Sequence, residues 1–245
     1  MSLRPMFLMA AALSLAIVSA QPQPQLIRIA YSKVRANGVY DYQTAAQLFN
    51  AGAKKSGLPW REVWATNLFG EVGMFVSVTP VARMAQFDDP GPVAGLTEQD
   101  RTKYMTLIRN SVEQARYVLV QTLPDLTISS DRKEPPKFAR VTNVRVMPGR
   151  QAEFEEFVKA TMVPAMKRIG VKDYWFMRNV LGGATNEYTV VQLFDKWSEL
   201  DALLNPAQYL GPDFKTYLSK TAATVASAEN MVVSYMPELS YRTEQ

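Results

Sequence analysis

The groups able to bind or react sit on short β-type runs: Arg28, Glu62, Trp64, Gln121, Arg140, Tyr174, Phe176 and Arg178. Glu62 and Trp64 are two apart, as are Tyr174, Phe176 and Arg178. Side chains of a strand alternate between its faces, so each set shares one face. Aromatic walls with a few polar groups are what a pocket for a small aromatic or anionic molecule requires. A buried guanidinium is costly unless paired, so Arg28, Arg140 and Arg178 need carboxylates such as Glu62, or an anionic ligand. The competing reading is that these groups pair with one another and only join two parts of the molecule.

Composition removes other chemistries. The chain of 245 residues contains no cysteine and no histidine. Disulfides, thiolate nucleophiles, zinc fingers, iron–sulfur clusters, a Ser-His-Asp triad and a histidine base are therefore excluded. Acid–base work falls to Asp, Glu, Lys or Tyr. No metal or cofactor is expected. Asp88-Asp89 lies in a loop beside Pro90 and Glu155-Glu156 on the polar face of a helix, and neither has further ligands at suitable spacing. Asn67 and Asn179 precede glycines and read as turn or strand-end residues, and Lys54-Lys55 as an exposed helix end. The net charge of +4 comes without the Lys/Arg clusters that track a phosphate backbone, so nucleic acid is not an expected partner. At 47% hydrophobic, the chain has enough apolar material for a core.

The elements that must position these groups recur in two halves. YVLVQTLPDLTI (117–128) resembles NMVVSYMPELSY (230–241), LIRIAYSKV (26–34) resembles FARVTNVRV (138–146), and Trp64, Asn67 and Gly70 resemble Phe176, Asn179 and Gly182. The spacing is about 112 residues throughout. This divides the chain into a leader (1–20), a first unit (21–128), a polar linker ending in a double proline (129–136) and a second unit (137–245).

Each unit reads β-α-β-β-α-β. In the first, strands fall at 26–33, 60–69, 73–78 and 116–122, with helices at 40–55, 81–87 and 97–114. In the second, strands fall at 139–147, 172–181, 187–194 and 230–236, with helices at 151–169, 195–204 and 213–226. The segment 88–96 reads as a loop.

That order is the ferredoxin-like unit, whose four-stranded sheet is covered by helices on one face only. Two such units in one chain bury the bare faces by packing sheet to sheet. Over nearly all of residues 26–241, element order and repeat pattern resemble the dimeric α/β-barrel superfamily, which includes antibiotic-biosynthesis monooxygenase-like and NIPSNAP-like domains. The resemblance implies an α+β fold in which the chain forms its own pseudo-dimeric barrel. Some members of that superfamily work without metal or flavin. Chlorite dismutase-like members bind haem through a histidine, which this chain lacks. Within the expected barrel, the more aliphatic phase (Ile27, Ile29; Ala139, Val141) is assigned to the helices. Arg28, Arg140 and the phase of Glu62, Trp64, Tyr174, Phe176 and Arg178 then face the shared interior.

The first twenty residues have Arg4 in a short positive region, an apolar run from Met6 to Val18, and Val18 and Ala20 before a cut ahead of Gln21. A periplasmic or secreted protein without a membrane span in its mature part is expected. Three functions follow: a small-molecule-binding module, a cofactor-independent oxygenase- or isomerase-like enzyme, or a structural envelope protein. A cavity with an arginine and no perturbed acid would favour the first. A glutamate of raised pKa beside a tyrosine would favour the second, and a filled interior the third.

Overall fold

Residues 25–243 are described in the computed structural model. The leader therefore lies outside the described residues. In the first half, β1 (Leu26–Val34) leads to α1 (Val39–Lys55), β2 (Trp60–Thr66) and β3 (Met74–Val81). Then come α2 (Gly91–Ala94), α3 (Glu98–Ser111) and β4 (Val112–Thr122). The second half holds β5 (Phe138–Val146), α4 (Gln151–Phe157), α5 (Val163–Arg168), β6 (Tyr174–Leu181) and β7 (Glu187–Phe194). It ends with α6 (Pro206–Leu210), α7 (Phe214–Thr224), β8 (Val225–Tyr235) and the short β9 (Tyr241–Arg242).

The strands run in the order β3-β1-β4-β6-β7-β5-β8-β2, and β2 pairs back onto β3 to close an antiparallel barrel, with β9 added outside on β2. Each half contributes a β4-β1-β3-β2 or β8-β5-β7-β6 sheet, and the halves join at β4–β6 and β2–β8. A register shift falls at Lys33/Val34 in one half and at Arg145/Val146 in the other. At one end Glu187 of β7 bridges Arg116 of the first half and Arg145 of the second, at 2.6 and 2.7 Å.

Three local differences from the sequence reading have simple causes. α3 stops at Ser111 and β4 begins at Val112, because Lys33 and Ser32 of β1 pair with Gln114 and Ala115. Ladder pairing there outweighs the helical propensity of Glu113-Gln114-Ala115. For the same reason β8 begins at Val225 and not at Asn230. The long helix of the second half contains a π turn, Val158–Met162, just before Pro164. A proline there cannot donate to the fourth residue back and would crowd its carbonyl, and the wider turn relieves both.

The larger difference is which face of each strand looks inward. Ile27, Ile29, Ala139, Val141, Trp64 and Val233 form one buried cluster drawn from both halves, the barrel interior. The aliphatic phase thus points into the barrel, and Arg28 and Arg140 lie on the outer face beneath the helices, opposite to expectation. The cause is closure. The space enclosed by a complete ring of strands is shut off from water around its whole circumference, so it takes the most apolar phase. A helix layer that covers only part of a sheet tolerates polar groups at its margins.

Candidate ligand-binding site

On the outer face of the first half, three adjacent strands place a row of polar side chains. Arg28 of β1 pairs with Thr79 of β3, and the β2–β3 register sets Arg61 beside Thr79 from the other side. Two guanidiniums therefore flank one hydroxyl residue. Arg61 is only 5% exposed. Its Nε donates to Ser77 Oγ at 3.2 Å, and its Nη1 donates to Asn50 Oδ1 at 2.8 Å and to the Leu239 carbonyl at 3.2 Å. The guanidinium also lies 4.9 Å from the centre of the Phe49 ring. Every partner is neutral.

Arg28 lies 4.7 Å from the Tyr117 ring centre. Among the described residues neither arginine forms a salt bridge. Burial pulls the Arg61 guanidinium below its ordinary pKa and nearby Arg28 acts in the same direction, against the phenols of Tyr42, Tyr104 and Tyr241. Two like charges on one face without a carboxylate partner leave that face positive.

Arg28 and Thr79 form part of the floor of a cleft of about 920 Å³. Phe49 of α1 and Trp60 of β2 give it aromatic walls, Gln121 of β4 lies at one side, and Gln86, Phe87 and Pro92 come from the segment ahead of α3. The helix expected at 81–87 is a 3₁₀ turn over Met84–Phe87, and the stretch 88–96, read from sequence as a loop, holds α2, which packs tightly on α1. A Cβ on Gly52 would fall 2.2 Å from the Pro92 carbonyl oxygen. The lining carboxylate Asp89 sits exposed on the same segment.

The second half fills the corresponding space. There the row reads Arg140, Gln192 and Tyr174. Tyr174 and Phe176 belong to a packed cluster with Phe154, Phe157, Val158 and Met166 from the covering helices. Burial, with Tyr209 adding to it, raises the Tyr174 phenol far above its usual value, and Arg140 only partly offsets this. One half is stabilised by a dense aromatic core, whereas the other keeps an open cleft over a cationic floor.

The residues singled out from sequence are thus dispersed. Arg28 and Gln121 line the cleft. Glu62 and Trp64 line a second cavity, inside the barrel, which borders the cleft at Gln25, Ile27 and Trp60. Arg140, Tyr174 and Phe176 lie under the second half's helices and do not face the shared interior. Arg178 sits outside the barrel at the β4–β6 seam, donating to Gln121 at 3.3 Å and lying 3.7 Å from Glu155, which accepts a 2.7 Å hydrogen bond from Tyr188.

The error in β6 is one of register. Val78 faces Glu62 and Val191 faces Trp175, while Val76 faces Trp64 and Thr189 faces Met177. The partners of Glu62 and Trp64 in the other half are therefore Trp175 and Met177, one residue away from the alignment that matched them to Tyr174 and Phe176. A one-residue slip moves every side chain to the other face. Arg61 and Thr79 were missed altogether. The available signals were a charge at Arg61 in phase with the fully buried Val63, and a polar Asn50 on the inner side of α1.

Closure of two ferredoxin-like sheets into one ring decides the architecture. The fold is the dimeric α/β barrel. Solved structures of low sequence identity share it. A proposed monooxygenase from Lactobacillus acidophilus is 12% identical, with a TM-score of 0.58 over 90% of this chain and 97% of that one. An anthrone oxidase-like protein is 10% identical, with a TM-score of 0.62 over 90% and 94%. A haem-binding protein from Thermus thermophilus is 11% identical, with a TM-score of 0.51 over 89% and 95%. No family model and no curated protein matches the sequence.

Haem held through histidine or cysteine does not fit this chain, which has neither. The cavities offer the Arg28 guanidinium, the Glu62 carboxyl and the Met177 thioether instead. Among the described residues there is no cluster of three acidic groups to hold a metal ion, and no helix is long and apolar enough to cross a membrane.

Proposed function

We propose that the protein is an exported small-molecule-binding module whose ligand, a small anion with an aromatic part, is held in the cleft of the first half. The observation that carries this reading is the Arg28–Thr79–Arg61 row, two guanidiniums without a salt bridge, of which Arg28 lines the aromatic-walled cleft and Arg61 lies behind it, with the cleft's one carboxylate, Asp89, on the exposed covering segment. An anionic group would sit against Arg28 and the Thr79 hydroxyl while its ring lies between Phe49 and Trp60. Arg61, behind Phe49, adds to the positive potential without needing to touch the ligand.

The test is thermal unfolding with 2-naphthoate and with its neutral counterpart 2-naphthamide. The anion is expected to raise Tm well above the amide, with the effect weakened by salt and removed in Arg28→Met. Equal stabilisation by the amide would refute recognition of an anion. Export rests on residues 1–20, and the mature protein is expected to begin at Gln21.

An enzymatic reading, cofactor-independent proton transfer of the oxygenase or isomerase type, is favoured by one separate feature. Inside the barrel, Glu62 carries a pKa raised by burial, and Tyr235, whose phenol senses that carboxyl, packs on Trp64 at 5.1 Å. The descriptions of the monooxygenase and anthrone oxidase-like neighbours agree with this reading. An envelope protein with a filled interior is disfavoured by the presence of two cavities.

A further inference from the structure

The barrel interior holds a chamber of about 490 Å³, separate in chemistry from the cleft. Its deep walls are aliphatic, with Ile29, Val76, Val141 and Val191, and Trp64 and Trp175 add two indoles. The polar linker borders its mouth. Ser130 Oγ donates to Asp173 at 2.9 Å, and Arg132 bridges Asp173 and Asp195 at 3.3 and 2.8 Å.

The carboxylates along the chamber are not equivalent. Asp173 is consumed by Ser130 and Arg132, and Glu134 stands on the exposed linker. Glu62 alone projects from a barrel strand. Its one salt bridge, 3.1 Å to Arg242, reaches an exposed side chain on β9. Burial drives its pKa upward against the lowering effects of Arg242 and the Trp64 indole. An apolar-walled chamber into which one partly exposed strand carboxyl projects, the more deeply buried Asp173 being taken up by Ser130 and Arg132, suits an uncharged, flat molecule bearing one hydrogen-bonding group.

We propose that the barrel interior is a second ligand site, distinct in chemistry from the cleft although Gln25, Ile27 and Trp60 border both, which takes a neutral, flat, largely apolar molecule oriented by a hydrogen bond to Glu62. The ring system lies against Trp64 and Trp175, and its N–H, hydroxyl or carbonyl meets the carboxyl, which accepts when ionised and donates when protonated.

The probe is N-phenyl-1-naphthylamine, neutral and flat, with one N–H, whose emission rises when it leaves water. Wild type and Arg28→Met are expected to enhance its emission with the same affinity. Val141→Trp, which fills the chamber, is expected to abolish the enhancement, and Glu62→Leu to weaken binding roughly tenfold. Glu62→Leu changes a wall position without filling the chamber, so it carries the test if Val141→Trp fails to fold.

No enhancement with wild type, wild-type affinity in Glu62→Leu, or loss of binding in Arg28→Met would each overturn the proposal. The last outcome would assign the probe to the cleft. Failure of naphthoate to bind in the cleft would leave these results unaffected.

Discussion

Arg61 and Arg28 share a face, yet their consequences differ because one is buried and the other reaches solvent. Arg61→Met removes the donor to Asn50 Oδ1 and leaves that buried acceptor unpaired, while the Leu239 carbonyl keeps its hydrogen bond from Asn50 Nδ2. A loss of about 1–3 kcal/mol in urea unfolding is expected. Arg28→Met should stay within about 0.5 kcal/mol of wild type, since its main contact is the half-exposed Tyr117 ring. A reversed order would show that Arg28 is structural.

Glu62 adds a pH signature. Its folded pKa lies above the ordinary 4.5, so the folded state binds the proton more tightly than the unfolded chain. Stability from this group is full below that ordinary value and is lost as pH rises through the raised one. Glu62→Gln should therefore gain on wild type in Tm as pH climbs from 4 towards 8, and a flat difference would contradict the burial argument. The presence of Glu62 and Trp64 in a cavity was legible from strand alternation. Their true counterparts Trp175 and Met177 were not, because a one-residue offset between the halves leaves no mark on composition and inverts the face of β6.

Among the elements, the covering segment ahead of α3 matters most to the cleft. It is held by close approach of Gly52 to Pro92, so Gly52→Ala must push α2 away from α1. A lowered Tm together with weaker naphthoate binding is expected, and unchanged binding would show that the segment is not a cleft wall. At the β4–β6 seam Gly182 has a φ of +85° and its missing Cβ would lie 2.1 Å from the Tyr117 carbonyl oxygen. Gly182→Ala combines steric overlap with backbone strain. A destabilisation of about 2 kcal/mol or more in urea is expected.

Strand and helix order could be read from hydrophobic period and turn residues. The starts of β4 and β8 could not, because Glu113-Gln114-Ala115 carries a helical preference that pairing with β1 overrides. β9, only two residues long, has no periodicity to detect, yet it delivers Arg242 to Glu62.

At the scale of the molecule, the barrel belongs to both halves at once. Its apolar interior draws on residues from each, and the seams at β4–β6 and β2–β8 have no equivalent within a single half. Cleavage in the linker between Lys133 and Glu134 should therefore leave the two fragments together as one species in gel filtration. Their separation under native conditions would mean that the seams are weak. The arrangement into a sheet-to-sheet barrel follows from two one-sided sheets in one chain. The inward-facing phase does not, since alternation names two faces without saying which closure will dehydrate more completely.

The asymmetry between a packed second half and a hollow, cationic first half is the basis for assigning the ligand to the cleft. Native mass spectrometry of wild type and Arg28→Met, each produced in the organism that makes the protein, tests this most directly. The account predicts an added small-molecule mass on the wild type that is absent or greatly reduced on Arg28→Met. Equal retention of the same mass by both proteins would contradict it.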